Sequence, residues 1–157
     1  VEAIMLEGTI VARLAKYSRD LDSPDGFRAD IERAQQSAQR AEASQQGCTK
    51  ARFQRVLGQL ALSLKDFESA NQYFLRAICE FHKSGKEELW CSVAYWNMYN
   101  LLLEVGDRRA ALPWLHRAKR LRQKLQGDHH PFVVQYQDSL DRLVQDLNLN
   151  LNHALLT

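Results

Sequence analysis

Apolar and small residues recur at three- and four-residue spacing along most of the chain. Ala70, Phe74 and Ala77 form one such series, Ala111, Leu115 and Ala118 a second, and Leu140, Leu143, Val144 and Leu147 a third. This is the period of a helix that buries one face. Turn residues divide the sequence into about seven such segments. The first runs from about Ala3 to Arg19 and stops at the loop Asp22-Ser-Pro-Asp-Gly26, where Asp25 is placed to cap the next helix. The second covers Phe27 to about Gln46, ending at Gly47, and the third Thr49 to Leu64, before a turn at Lys65-Asp66. The fourth spans Phe67 to Lys83 and closes on Gly85, and the fifth spans Lys86 to Val105. The sixth covers Arg108 to Gln126, and the seventh starts after His130-Pro131, with Pro suited to a first helical turn. The tail Asn148-Leu-Asn-Leu-Asn-His153 alternates polar and apolar residues and is expected to fray.

Composition fits this picture. Of 157 residues, 45% are hydrophobic and 25% charged, and most of the seven Gly and three Pro lie between the long helical stretches, so few strands can be hidden. Cys48, Cys79 and Cys91 lack CxxC spacing and are odd in number, which argues against a disulfide framework or a zinc site and for a reducing compartment. No apolar run approaches the roughly 18 residues that span a bilayer, and the start lacks a basic segment followed by an apolar one. A cytoplasmic chain is expected. Its beginning at Val1 reads as a piece of something longer. The net charge of +2 does not call for nucleic acid, which is not among the expected partners.

Very short turns between helices imply antiparallel hairpins, and self-similarity then decides how they are arranged. Leu57-Gly58-x-x-Ala61 is followed by Asp66-Phe67-Glu68-x-Ala70, Phe74 and Ala77; Leu102, Gly106-Asp107, Ala111, Leu115 and Ala118 repeat that series. Ala111 follows Ala70 by 41 residues. The reason for the pattern is close packing. The alanines let each second helix approach its hairpin partner, while Phe74 or Leu115 fills the wedge between repeats.

This spacing resembles the tetratricopeptide repeat, with His82 where that repeat's terminal Pro stands. The 41-residue period, Ala111-Leu-Pro113-Trp-Leu-His-Arg-Ala118 and the linker Gly127-Asp-His-His130-Pro131-Phe-Val133 are similar to the kinesin-light-chain type. The likeness covers about residues 50 to 145. It implies an all-α fold, a right-handed superhelical solenoid of antiparallel hairpins, built as one domain over 1–157. Within it, 1–47 is a degenerate first repeat in which only Ala34 and Ala41 are in register, 48–85 and 86–127 are repeats, and 128–157 is a capping helix. Tyr99 stands where the family has Gly or Ala, so the second hairpin is expected to be spread locally. Asp141 stands where the last helix would have a small residue, which suits a terminal cap.

The first helix of each pair lines the concave face of such a solenoid, where peptides bind. The register puts Arg52, Arg55, Gln59 and Ser63 there from one hairpin, Trp96, Asn97, Asn100 and Glu104 from the next, and Gln135, Ser139 and Arg142 from the cap. By the resemblance, Asn97 would hydrogen-bond a ligand's backbone, for which an amide that both donates and accepts is suited. Arg52 and Arg55 would grip a carboxylate. The sixth helix is strongly basic, and Arg109, Arg117, Arg120 and Lys124 share one face. That face could meet nucleic acid, acidic lipid or an acidic protein; solvated surface is the plainer account, since cations suit a helix C-terminus.

Catalysis finds little support. His129 and His130 beside Asp128 lack a third metal ligand, no nucleophile has an orienting base, and neither GxxxxGK[ST] nor GxGxxG is present. Neither cofactor nor metal is expected. The expectation is a non-catalytic scaffold or adaptor that holds an extended or helical peptide, one with acidic residues, in its groove. The alternatives are a regulatory or substrate-binding domain of a larger enzyme or transcription regulator, and a homo-oligomerisation module that pairs through its terminal helices.

Overall fold

The computed structural model describes the backbone of residues 2–5, 8, 24–85 and 89–156, and the side chains of these up to residue 148, those of 24–27 excepted. Among the described residues the protein is all-α, without a strand. Residues 2–5 and 8 are helical, and six helices follow: α1 (Pro24–Glu42), α2 (Gly47–Ser63), α3 (Phe67–Lys83), α4 (Leu89–Glu104), α5 (Arg108–Gln126) and α6 (Pro131–Leu156). None of the helices is long and apolar enough to cross a membrane. The chain divides into two compact units, 1–86 and 87–157.

In the first unit α2 packs between α1 and α3. Ile31, Ala34 and Ala38 of α1 meet Phe53, Val56, Leu57 and Leu60 of α2, joined by Met5 from the start of the chain; Ala41 lies at the edge of this cluster. Polar contacts tie the helices as well: Gln54 Nε2 of α2 donates to Glu42 Oε1 of α1 at 3.1 Å, and Gln39 Nε2 of α1 to the Tyr73 hydroxyl of α3 at 3.2 Å. Between α2 and α3 the approach is closest at Gly58, where an added Cβ would collide with the ring of Phe74. Asp66 caps α3 by accepting from the Ser69 amide at 3.1 Å. Bonds from the hydroxyl and amide of Ser69 hold its carboxyl below the usual carboxylate range.

In the second unit α5 packs between α4 and α6. α4 is buried on nearly every side, with Cys91, Ser92, Ala94, Tyr95, Asn97, Met98, Tyr99 and Leu101 enclosed. α5 buries one narrow stripe, Ala111, Leu115, Ala118 and Arg122, and Asp107 caps it by accepting from the Ala110 amide at 3.0 Å. α6 turns Val133, Tyr136, Leu140 and Leu143 inward.

Several boundaries depart from expectation. α1 begins at Pro24, whose fixed φ suits a first helical position, so Asp25 lies inside the first turn and is not its cap. The same helix stops at Glu42, four residues short of the expected end, and Gly47 opens α2. α6 runs to Leu156 through the segment expected to fray, which holds two Leu and neither Gly nor Pro to stop a helix. The expected first helix lies mostly outside the described residues, as do Lys86, Glu87 and Glu88 at the expected start of the fifth.

Candidate functional site

On α2, the residues expected to line a groove are largely engaged with one another. Arg55 is only 4% exposed and its Nη1 donates to Gln59 Oε1 at 2.7 Å; Ser63 donates to the Gln59 carbonyl at 3.0 Å. The pairing follows from i,i+4 spacing, which stacks the two side chains on one helix face. Arg52 and Gln59 are half-buried and keep a part of their surface in solvent.

On the second unit the side chains of α4 and α6 form a shallow trough. Trp96 stacks on Tyr136 with ring centroids 4.5 Å apart and planes 10° from parallel, and it meets Tyr99 at 4.9 Å. Asn97 is 5% exposed and its Nδ2 is buried without a hydrogen-bond partner among the described residues. Asn100 and Ser139 are half-buried, while Glu104, Gln135 and Arg142 are exposed. Ser139 donates to the Gln135 carbonyl at 3.0 Å, and Arg142 Nε to the Asp138 carbonyl at 3.3 Å.

Beside the aromatic stack lies a pocket of about 170 Å³ lined by Tyr99, Leu103, Arg108, Ser139, Arg142, Leu143 and Asp146. Tyr99, the bulky departure from the repeat pattern, thus forms a wall of the pocket instead of being merely accommodated. Burial pushes its hydroxyl above the ordinary phenolic range, although the Ser139 hydrogen bond and the Arg142 charge pull the other way. Arg108 and Asp146 face one another at 4.0 Å, both more than half exposed, a pair too solvated to add much stability. The site therefore offers two guanidinium groups, two hydroxyls and one carboxylate around an open space.

A second cluster lies where α5 meets the start of α6. Arg122 is 7% exposed, its guanidinium 4.7 Å from the centre of the Phe132 ring and 6.0 Å from that of Tyr136, with Nη1 donating to Gln126 Oε1 at 2.9 Å. No carboxylate bonds it among the described residues; the ring faces take that role. His130 stacks on Phe132 in turn. Sequence reasoning missed Arg122, Phe132 and Tyr136. The signal was present: Arg122 continues the series Ala111, Leu115, Ala118 at four-residue spacing, and Tyr136 continues from Val133 at three.

The cations expected to share a face lie on α5. Arg109, Arg117, Arg120 and Lys124 are all exposed, opposite the buried stripe, and Arg117 lies 4.8 Å over the ring of Trp114. No protein-family model and no curated protein matches this chain.

Proposed function

We propose that the chain is a non-catalytic interaction scaffold of the kinesin-light-chain-like tetratricopeptide type, a right-handed solenoid in the cytoplasm, that holds an extended or helical peptide segment. The observation that carries this reading is the α4–α6 trough, where the half-buried Trp96 stacks on Tyr136 beside a polar pocket. A half-buried indole beside a pocket of polar groups suits a peptide better than a reaction, since binding asks for apolar contact plus a few oriented donors. The repeat register supports the fold type, because Asp66 and Asp107, 41 residues apart, cap equivalent helices. In this reading Arg142, Gln135 and Asn100 orient the ligand and Trp96, steadied from behind by Tyr136, supplies its apolar contact.

Arg55 and Asn97 are poor places to test the groove, since changing either disturbs a buried side chain. The exposed pair Gln135 and Arg142 can be altered with little effect on folding. Displayed random peptides selected on the wild-type chain should lose at least tenfold in affinity for a Gln135→Glu/Arg142→Glu variant. Peptides that bind both forms equally, or no enrichment at all, would defeat the proposal.

A further inference from the structure

The cationic face of α5 takes no part in the trough, and its geometry is unusually linear. Arg109, Arg117, Arg120 and Lys124 fall within about 80° of arc on the helix, on a line about 22 Å long at 1.5 Å per residue. The remaining exposed residues on that line are Pro113 and His116, so no large apolar side chain interrupts it. α5 holds seven Arg and Lys and no acid. Arg109 and Arg120 have no hydrogen-bond or ion-pair partner among the described residues. The near-neutral charge of the whole chain hides this concentration on one helix.

We infer that this face binds the phosphate backbone of single-stranded nucleic acid. Three features of the row select that ligand. First, the cations form one line, whereas a duplex groove presents two phosphate strands and would call for two flanking rows. Second, at about 3.4 Å per phosphate along a stacked strand, the row spans roughly six nucleotides, a length comparable to known single-strand sites. Third, the Arg117 guanidinium is held over the Trp114 indole, with Trp114 itself set against Tyr95 at 6.0 Å, and Arg117 is exposed on its outer side. A guanidinium steadied in this way is a platform on which a base can stack, a contact that polyglutamate or an acidic helix lacks. An acidic membrane fits less well because nothing on the row is apolar enough to enter it.

Four phosphate contacts predict a slope of about −3 for log affinity against log salt, at about 0.7 per contact on a single strand. The test is fluorescence anisotropy of the full chain with labelled 12-mers of oligo-dT and oligo-U from 50 to 200 mM salt. Wild type should lose about 50-fold in affinity over that range and an Arg117→Ala/Arg120→Ala variant only about sevenfold, from a weaker start. Both changes are on exposed side chains, and circular dichroism confirms that the variant is folded. A Gln135→Ala variant, altered in the trough without a change of charge, should bind the oligonucleotides as wild type does, so this result is independent of the peptide reading. The inference is overturned by no binding at 50 mM salt, or by an unchanged slope in the α5 variant. It is overturned equally if polyglutamate of matched length or phosphatidylserine vesicles bind the row as tightly as the oligonucleotides.

Discussion

The two hairpins solve the same packing problem with opposite residues. At matched positions 41 residues apart, α2 has Gly58 where α4 has Tyr99, α3 has Phe74 where α5 has Leu115, and α3 has Phe81 where α5 has Arg122. All six are buried. In the first hairpin the bulk comes from the second helix, and Gly58 makes room for the Phe74 ring. In the second hairpin the bulk comes from the first helix, and Tyr99 helps to enclose a pocket. The matched positions thus share a need for volume but differ in which helix supplies it. The first hairpin uses that freedom to close its core, and the second to open a polar site.

The widest contrast is at the third pair. Phe81 is fully buried near the end of α3, whereas Arg122 is held by aromatic faces and Gln126. Phe81→Arg should therefore destabilise the chain by about 3–5 kcal/mol, the usual penalty for a buried charge without compensation. Arg122→Met should leave stability within about 1 kcal/mol of wild type or raise it, because an apolar side chain of similar length replaces a desolvated cation. Urea denaturation of the two variants checks both values. Equal losses would mean that Arg122 is as integral to its core as Phe81 is, and that its aromatic surroundings are not what tolerates the charge.

The first pair gives the next largest effect. Gly58→Ala forces a methyl group into the Phe74 ring and should cost about 1–3 kcal/mol. Adding Phe74→Leu, which imports the smaller residue of the second hairpin, should restore part of that loss. The coupling energy of the double-mutant cycle, expected at about 1 kcal/mol, measures whether the two positions share one volume. Additive losses would break the idea of exchanged bulk.

Legibility in the sequence divides along the same line. Alanines at three- and four-residue spacing and Asp after a turn are local signals, and they located the helices α3 and α5 to the residue. Tyr99 was legible as an exception, since one large residue at a small position must displace something. The trough was not legible in the same way. Whether Trp96 faces solvent or is taken up by Tyr136 depends on how far α4 lies from α6, which no spacing along either helix encodes. Arg55 shows the same limit, because spacing along its helix placed it in an expected groove while its side chain is buried and bonded to Gln59.

A smaller effect separates the units by pH. Tyr95 and Tyr99 both lie in the second, and burial raises both hydroxyls above the ordinary phenolic range. A raised pKa means that the folded state holds its proton more tightly than the unfolded state does. The stability this contributes is intact below the unfolded value of about 10 and is lost as pH climbs above it. Alkaline unfolding followed by circular dichroism should thus begin above about pH 10, and Tyr95→Phe/Tyr99→Phe should flatten the decline. An unchanged pH profile in that variant would remove the tyrosines as its cause.

The smallest contrast is in the turns, where Lys65 and Gly106 occupy the same position before their capping Asp. Both have left-handed backbones, with φ of 59° and 84°. A side chain meets a steric penalty of about 1–2 kcal/mol in that conformation, whereas glycine gives up more freedom on folding, by about 0.5–1 kcal/mol. Lys65→Gly should therefore stabilise the first unit by roughly 0.5–1 kcal/mol. Gly106→Ala should cost the second about 1 kcal/mol, and that cost is conformational alone because a Cβ there meets no atom within 4 Å. If Lys65→Gly instead destabilises, the lysine side chain contributes more to its turn than the strain it introduces, and the two turns are alike in shape but not in what holds them.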